Sequence, residues 1–364
     1  MNKDQIQTAA LEIVLPRQVA GVNISMGVGK TLLGLKHMSK HYYPSVRYLV
    51  VGPKLPILQS WKDEIEKNDL EYLLGSIDFT TYLSLTKQNS EVYDVIYLDE
   101  CHSLKYSHGN WLMSAIKHNK KILGLTGTYP VHKSSEKGEM CNKFCPLVYE
   151  YLIDTAVDDK ILNDYKIYIH SVELDEEVTY PVLDKEGNLK WMSSEKKVYD
   201  YWCGRLNNCS SAKEMQIMRI MRMKSLQDFP SKLDYVKKLL TKRRFKTIVF
   251  ANTQAQADEL CDHSFHSKNP QSKANLDLFK TGEIEVLSAV EQLSEGVTIP
   301  NLKSGIIMHA YSNNRKATQK IGRLLRLNPN ETAAIHILCY SNTVDKEWVT
   351  NAISHLDQSK IVWL

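Results

Sequence analysis

The chain has 364 residues, of which 43% are hydrophobic and 24% are charged, and its formal net charge is +4. This length predicts about two or three domains of ordinary size, and the composition is that of an average soluble globular protein. No apolar run approaches the length that a membrane span requires. The mildly basic charge permits nucleic-acid binding but is not evidence for it, so that evidence must come from local clusters of basic residues.

Two features bear on the compartment in which the chain works. Residues 1–5 do not resemble a secretory signal, because no apolar region precedes a small-residue cleavage site. Seven cysteines, an odd number in a chain of this size, suit a reducing compartment better than a disulfide framework. The cysteine spacings at 141–145 and 203–209 are poor for zinc, so reduced, partly buried thiols are the favoured interpretation.

The first predicted helix spans residues 2–15 and has an apolar side that includes Leu11 and Val14. Gln5 lies about twenty-five residues before Lys30, and a glutamine here can pair with the edge of an adenine through two hydrogen bonds. By chemistry alone, a surface glutamine is an equally good interpretation.

A glycine-rich loop, Ser25-Met26-Gly27-Val28-Gly29-Lys30-Thr31, follows an apolar run and precedes a helical pattern. Two glycines allow a tight curl that aims backbone N–H groups inward, and the helix start adds a positive dipole end. Lys30 is then expected to reach the β- and γ-phosphates of a nucleotide, and Thr31 to ligate Mg²⁺. Ile24 stands where the general pattern has glycine, and an ordinary glycine turn before a helix is the alternative.

Residues 47–53 predict a second buried strand, and residues 55–70 predict a helix with Leu58, Trp61 and Ile65 on one face. A further strand ends near Thr80 and Thr81. Strand ends on one side of a parallel sheet form a continuous edge. Small hydroxyls at that edge suit contacts to a nucleic-acid backbone, and they suit helix caps equally well.

Residues 95–98 form a buried-strand pattern that ends in Asp99-Glu100-Cys101-His102. Asp99 can hold Mg²⁺, directly or through water, and Glu100 can orient and deprotonate an attacking water. The spacing from Lys30 suits a few βα units, so the loop and the acids can meet at the carboxyl edge of one sheet. A solvated acidic pair is the alternative, which the preceding loop disfavours.

Residues 122–128 predict the next strand and turn, from which Thr126 and Thr128 could hydrogen-bond the two acids and relay the nucleotide state. Residues 134–160 are predicted to be helical and to close the first domain. Residues 166–172 predict a strand that crosses to the second domain.

The composition changes between residues 176 and 229. Residues 182–191 predict a hairpin with Gly187-Asn188 at its tip, and a helix follows in which methionines alternate with Arg219, Arg222 and Lys224. One interpretation is a strand-separating pin with a basic helix that tracks phosphates. The favoured interpretation is a surface hairpin without a role in strand separation, followed by an amphipathic core helix.

A second α/β unit follows, without a Gly-Lys-Thr loop of its own. Its predicted helices are 232–240, 253–261, 275–279 and 344–356, and its predicted strands are 246–251, 284–289, 305–310 and 334–339. In residues 319–326, Gln319, Arg323 and Arg326 would share one helix face. Guanidinium groups on that face could reach the γ-phosphate of a nucleotide held by the first domain as negative charge develops.

The motifs together resemble those of superfamily 2 helicases and translocases, in family order across most of the chain. Ser25–Thr31 resembles motif I (Walker A), Val50–Trp61 motif Ia, Asp99–His102 a DECH version of motif II, Thr126–Thr128 motif III, Val249–Thr253 motif IV, Glu295–Pro300 motif V and Gln319–Arg326 motif VI.

The motif variants resemble the DNA-translocating branches of that superfamily: remodeller-like proteins, restriction motors and phage recombination helicases. A DEAD-box RNA helicase would show Ser-Ala-Thr as motif III and a His-Arg opening to motif VI, and neither is present. Two departures are Tyr129, where proline often follows, and Thr298, where an acid or asparagine is common. The compact length is similar to that of phage-encoded members, which implies action in the cytoplasm of a bacterial host.

The resemblance implies an α/β fold of two RecA-like parallel-sheet domains, residues 1–160 and 161–364, with a small hairpin and helical insertion at about 176–229. It implies ATP and Mg²⁺ as cofactors and DNA, duplex, forked or single-stranded, as partner of a monomer or weak oligomer. The implied catalytic residues are Glu100, Gln319, Arg323 and Arg326. The implied nucleotide-binding residues are Gln5, Gly27, Val28, Gly29, Lys30, Thr31, Asp99 and Gly296, with Thr31 and Asp99 on the metal. The implied nucleic-acid contacts are Pro53, Lys54, Thr80, Thr81, Asn252, Thr253, Ser294 and Glu295.

The expected function is therefore an ATP-dependent DNA helicase or translocase. An RNA helicase is the alternative within the enzyme class. A nucleotide-gated module that binds nucleic acid without unwinding it is the alternative from another class.

Overall fold

The structure is a computed structural model that describes residues 2–25, 27–130, 132–184, 186–290, 299–309, 320–322, 324–325 and 331–364. The chain forms two compact units, of which the first runs to Asp164 and the second takes up most of the chain from Tyr165 onward. Among the described residues, no helix combines the length and the apolar character needed to cross a bilayer.

The first unit is a parallel sheet with helices between its strands. Its helices are α1 (Lys3–Val14), α2 (Lys30–Lys40), α3 (Leu55–Lys67), α4 (Gly109–Lys117), α5 (Glu136–Phe144) and α6 (Ile153–Asp158). Its strands are β1 (Val19–Ile24), β2 (Tyr48–Gly52), β3 (Ile77–Thr81), β4 (Val95–Asp99), β5 (Lys121–Thr126) and β6 (Leu147–Tyr151). The strand order is β3-β2-β4-β5-β1-β6, and every neighbouring pair is parallel.

The interior strands β2 and β4 are buried along their whole length. Strands of a parallel sheet that is covered by helices on both faces lose contact with water on both sides, and their sequences become continuously apolar. The apolar runs that predicted these strands are therefore explained by their position in the interior of the sheet, away from its edges.

The sequence-based expectation of a continuous helical region at 134–160 was wrong. The segment contains α5 and α6, but β6 lies between them and pairs with β1 in parallel. This strand is at the sheet edge, and its first residue, Leu147, is 39% exposed. An edge strand lacks the buried apolar run that identified the central strands, which is why the pattern missed it.

Because all six strands are parallel, their carboxyl ends lie at one edge of the sheet. The loop after Ile24, the segments after Gly52 and Thr81, and the residues that end β4 and β5 all emerge there. The fold of the first unit thereby gathers the candidate nucleotide-binding and catalytic residues of this unit at a single edge.

The second unit is built on a seven-stranded sheet. Its strands are β7 (Asp164–Val172), β10 (Thr247–Ala251), β11 (Ser264–Phe265), β12 (Val286–Val290), β13 (Ser304–Ile307), β14 (Thr332–Tyr340) and β15 (Ile361–Trp363), in the order β11-β12-β10-β13-β14-β7-β15. The ladders between β10 and its two neighbours are parallel. Its helices include α9 (Pro230–Thr241), α10 (Gln254–Leu260), α11 (Ser272–Thr281) and α12 (Val344–Ile353).

An insertion lies between β7 and α9. It consists of the antiparallel hairpin β8 (Tyr180–Leu183) and β9 (Leu189–Ser193), then α7 (Glu195–Asn207) and α8 (Ala212–Asp228), which pack on each other. Gly187 has φ +88° in the hairpin turn, a conformation that is strained for residues with a side chain. The predicted hairpin and its glycine tip are therefore confirmed. The predicted fold class, two tandem parallel-sheet α/β domains with a small insertion, is likewise confirmed.

Candidate active site

The loop between β1 and α2 has the backbone of an anion cradle. Gly27 has φ +86° and Gly29 has φ +99°, and α2 begins directly afterwards at Lys30. The N-cap residue is Gly29, which has no side chain to satisfy the first N–H groups of the helix. Free N–H groups at a helix start, together with the positive end of the helix dipole, favour a bound anion.

A buried serine hydroxyl supports the same interpretation of this loop. Ser25 is 3% exposed, and its Oγ has no hydrogen-bond partner among the described residues. A buried hydroxyl without a partner is costly, and a ligand that accepts its hydrogen bond removes the cost. The orphaned hydroxyl and the two glycines therefore suit a phosphate group.

The structure assigns different positions to the two glutamines of α1. Gln5, the predicted adenine-reading residue, is exposed, and its side chain accepts from Asn2 N at 2.9 Å as part of a capping box. Gln7 is 3% exposed, and its Nε2 donates to the carbonyls of Val28 at 3.1 Å and Gly29 at 3.3 Å. The glutamine that contacts the phosphate loop in this structure is therefore Gln7.

Lys30 and Glu100 meet at the carboxyl edge, as the sequence predicted for the loop and the acids. Lys30 Nζ lies 3.0 Å from Glu100 Oε1, and both side chains are nearly buried. Glu100 adopts the left-handed conformation, with φ 51° and ψ 53°, directly after β4. A non-glycine residue in this region is strained, and such strain is concentrated at functional sites.

Thr126 at the end of β5 contacts the second oxygen of the Glu100 carboxylate. Its Oγ1 donates to Glu100 Oε2 at 3.3 Å and lies 2.8 Å from His102 Nδ1. Thr128 does not contact the acids through its hydroxyl; instead its backbone N–H donates to Thr126 Oγ1 at 3.1 Å. The expected hydrogen bond to the acids is therefore present for Thr126, and Thr128 reaches them only through Thr126.

The pKa of Glu100 is lowered although the carboxyl is buried. Burial pushes the pKa upward, but the positive charge of Lys30 and the His102 ring, with hydrogen bonds from Lys30 and Thr126, outweighs it. Glu100 is thus held as a carboxylate in an ion pair with the loop lysine.

Asp99 is buried and held at both carboxylate oxygens. Its Oδ1 accepts from Glu100 N at 2.9 Å, and its Oδ2 accepts from Trp61 Nε1 at 2.7 Å. Burial raises the pKa of Asp99, as does the adjacent Glu100 charge, while Lys30 and the hydrogen bond from Trp61 oppose the rise. A bound divalent cation would favour the ionised form of such a carboxylate.

The remaining predicted residues of the first unit lie at the same edge with different exposure. Lys54 is exposed, Pro53 and Thr81 are half-buried, and Thr80 is only 7% exposed. Thr80 therefore offers little surface to a partner in this structure.

In the second unit, Asn252 and Thr253 follow β10, and the Thr253 hydroxyl accepts from Gln256 N at 3.2 Å as the cap of α10. The predicted residues Ser294, Glu295, Gly296, Gln319, Arg323 and Arg326 lie outside the described residues.

Sequence reasoning did not predict the contacts that three side chains make in this site. Gln7 carried a recognisable signal, since it is a polar residue within the stripe of α1 that buries Ile6, Ala10 and Val14. Trp61 was identified on the buried face of α3, but its hydrogen bond to Asp99 joins residues that are distant in sequence. His102 was noted as part of the DECH motif, and its contact with Thr126 depends on the pairing of β4 with β5.

Two family models match the chain. The SWI2/SNF2 ATPase model matches residues 62–196, and the helicase conserved C-terminal domain model matches residues 231–328. The first match begins after the phosphate loop, and the second lies within the second half of the chain.

Among characterised proteins, the DNA 3'-5' translocase XPB2 of Sulfurisphaera tokodaii is 24% identical over 368 residues, a match that covers 91% of this chain and 80% of the relative. Among solved structures, the ATP-dependent Type ISP restriction-modification enzyme LlaBIII bound to DNA has a TM-score of 0.60 at 14% identity and covers 99% of this chain. The Mycobacterium smegmatis helicase Lhr bound to ssDNA and AMP-PNP has a TM-score of 0.53 at 13% identity and covers 95% of this chain.

This chain spans only 31% of the restriction enzyme and 46% of Lhr, and likeness at such identities shows the fold alone. The fold that these structures share with the chain is that of two tandem α/β domains with parallel sheets. Together, the two family matches and the translocase relative make the chain similar to helicase-type ATPases over most of its length.

Proposed function

We propose that the chain is an ATP-dependent DNA translocase that binds and hydrolyses ATP at the carboxyl edge of its first unit. The observation that carries the proposal is the meeting of Lys30 with Glu100, next to Asp99, at the mouth of an anion cradle. A lysine on a glycine-rich loop and two strand-end carboxylates are the parts that phosphoryl transfer to water requires.

Each residue has a distinct role in this proposal. The backbone of residues 27–29 and the Ser25 hydroxyl hold phosphate oxygens, and Lys30 exchanges Glu100 for the β- and γ-phosphates. Glu100, released from the lysine, orients the attacking water and accepts its proton. Thr126 holds the second oxygen of Glu100 and so keeps the base in position.

Mg²⁺ would be held by the Thr31 hydroxyl and the Asp99 carboxylate. Oxygen ligands of this kind suit Mg²⁺, which usually takes one or two protein ligands and keeps several waters. When bound, the ion neutralises charge on the phosphate oxygens. The proposal also keeps Gln319, Arg323 and Arg326 as cationic and polar contacts to the transferred phosphoryl group, and Gly296 as a nucleotide contact.

DNA is the proposed polymer because a relative that matches 91% of this chain is a DNA translocase and a similar structure is bound to DNA. The motif variants point to the same branch. We propose that Pro53, Lys54, Thr81, Asn252, Thr253, Ser294 and Glu295 contact its backbone, with the exposed Lys54 contributing most in the first unit. The buried Thr80 is left out of this set. Contacts of this kind are mainly to phosphate and hence depend strongly on salt. A cytoplasmic location agrees with the seven free thiols.

The first experiment is ATP hydrolysis without polymer and with single-stranded DNA, duplex DNA, forked DNA or RNA. Lys30→Ala is the control, because it removes the charge that reaches the phosphates, and it should abolish hydrolysis in every condition. Stimulation by any DNA supports the proposal. Stimulation by RNA alone would move the chain to the RNA helicases, and no stimulation by any polymer would favour a nucleotide-gated binding module.

We further propose that the chain unwinds DNA and that the hairpin of β8 and β9 separates the strands, although the sequence alone favoured a hairpin without this role. Leu183, Leu189 and Trp191 on the hairpin are each more than half exposed, at 54%, 61% and 52%. Deletion of residues 182–191 should then abolish strand displacement while hydrolysis is kept. Trp363→Ala, which removes an exposed tryptophan elsewhere in the second unit, is the matched control. Unchanged displacement in the deletion variant would leave the hairpin without this role.

A further inference from the structure

Trp61 is a buried residue in the second turn of α3, and it joins that helix to the end of β4. The residue is 0% exposed, and its indole Nε1 donates to Asp99 Oδ2 at 2.7 Å. A hydrogen bond from a buried donor to a carboxylate is charge-assisted and stronger than one between neutral groups.

The indole ring has little freedom to move. A Cβ at Gly34 of α2 would lie 2.4 Å from Cη2 of Trp61, so the ring packs directly on the helix that follows the phosphate loop. The ring of Tyr97, on β4, lies 5.9 Å from it between centroids. The indole is thus held between α2 and β4, and its N–H has a fixed direction.

This N–H completes the support of the Asp99 carboxylate. Oδ1 accepts from Glu100 N, and Oδ2 accepts from Trp61, so both oxygens have a donor. A carboxylate has about four acceptor positions, and these two hydrogen bonds leave the others open for a cation.

We propose that Trp61 is a positioning residue for the divalent cation, because it fixes the orientation in which Asp99 offers its carboxylate. This inference rests on the proposed function, in which Asp99 is a metal ligand. Partners that orient a ligating carboxylate in this way alter metal affinity without touching the metal. The contribution comes from α3, a helix that supplies no ligand itself.

The test is the affinity of Mn²⁺ for the ADP-bound full chain, measured by electron paramagnetic resonance. Trp61→Phe keeps an aromatic ring and removes the donor, and we expect Mn²⁺ to bind about 10- to 100-fold more weakly. Affinity for a fluorescent ADP analogue in EDTA should stay unchanged, because the loop and Lys30 hold the phosphates without metal.

The matched control is Trp111→Phe. Trp111 is also a nearly buried tryptophan of the first unit, and its Nε1 donates to the carbonyl of Gln88 at 2.7 Å. This variant loses the same donor and a similar volume but should keep wild-type affinity for Mn²⁺. Benzothienylalanine at position 61, which retains the shape of the ring and lacks only the N–H, provides a second variant in case Trp61→Phe fails to fold.

Weaker Mn²⁺ binding at position 61 with normal binding in Trp111→Phe supports the inference. Equal Mn²⁺ affinity in the two tryptophan variants overturns it. If the wild type itself binds no Mn²⁺·ADP, or binds it as well as Asp99→Asn does, the proposed function fails instead, so the two failures are distinguishable.

Discussion

Glu100 has a left-handed backbone conformation, which is strained for a residue with a side chain, and this conformation positions its carboxylate. A left-handed turn directly after β4 lets the carboxylate reach both Lys30 on the phosphate loop and Thr126 on β5. Left-handed geometry costs roughly 1–2 kcal/mol for a non-glycine residue. Contacts with Lys30, Thr126 and His102 stabilise a conformation that the isolated chain would avoid.

Glu100→Gln should reduce ATP turnover by about 100- to 10,000-fold, because an amide cannot take the proton of the attacking water. Binding of ATP should be retained or strengthened, since Lys30 no longer has a carboxylate partner to exchange. The measurement is steady-state hydrolysis together with binding of a fluorescent ATP analogue.

The matched control for this substitution is Glu91→Gln, which removes a carboxylate that is 63% exposed and pairs with His118. It should leave turnover unchanged. Normal turnover in Glu100→Gln would contradict the assignment of Glu100 as the base.

At the residue scale, the sequence was informative where chemistry and local spacing coincide. The positions of Lys30, Asp99 and Glu100 followed from a loop and a strand end. The contact of Gln7 with the loop did not follow, because its place in the apolar stripe of α1 marks it as buried but does not show which element it faces. Packing partners such as Trp61 and Asp99 belong to different elements, and periodicity along the chain carries no information about them.

At the scale of elements, the meeting of β1 with the segment before β6 depends on one glycine. A Cβ at Gly21 would lie 2.1 Å from the carbonyl oxygen of Cys145, and Gly21 N donates to Pro146 O at 2.7 Å. The two backbones therefore approach more closely than any side chain would allow. The pairing register of β1 with β6 shifts at this same point.

Gly21→Ala should destabilise the first unit by about 1–3 kcal/mol, since the added methyl group forces backbone displacement in a packed region. Gly75→Ala is the control in the same unit, because a Cβ there meets no atom within 4 Å. Urea unfolding followed by circular dichroism measures both, and the control should change stability by no more than about 0.5 kcal/mol. Equal midpoints for the two variants would show that β6 is not held against β1 as described.

The elements themselves were predicted unevenly, and the reason is burial. Interior strands such as β2 and β4 can be recognised in the sequence as apolar runs, because they are buried along their whole length. The edge strand β6 mixes exposed and buried positions in five residues and resembles the helices on either side of it. Burial on both faces of the sheet, more than strand propensity, made a strand predictable from the sequence.

At the scale of the whole molecule, buried histidines make stability depend on pH. Burial, followed by the neighbouring His336, lowers the pKa of His170 to about 4, and burial lowers the pKa of His37 to about 3. The pKa of His336 is lowered by burial as well. His170 Nε2 lies 2.9 Å from His336 Nδ1, so one neutral ring donates to the other in the folded state.

Histidines in an unfolded chain have a pKa of about 6.5, so below that pH these three histidines bind more protons in the unfolded chain than in the folded one. Stability should therefore fall as pH is lowered from 7 towards 4. The raised pKa of Asp99, about 6, acts in the opposite sense below that pH and offsets part of the loss of stability.

Urea midpoints at pH 7 and pH 5 should show a smaller difference in His170→Gln than in the wild type. His118→Gln, at a histidine whose side chain is 48% exposed, is the control, and a pH dependence that is equal in all three chains would contradict the role of His170.

The insertion enters and leaves the second unit at one point, because the Glu195 carboxylate accepts from Asp175 N on one side and from Ser231 N and Oγ on the other. Beyond this point, Tyr199 of α7 and Leu226 of α8 are buried in the same core cluster as Val249 and Ile306 of the sheet. The two helices of the insertion are therefore part of the core of the second unit. Leu183, Leu189 and Trp191 of the hairpin are each more than half exposed, so the hairpin is the part of the insertion that evolution or an engineer can exchange with the least effect on the strands of the sheet.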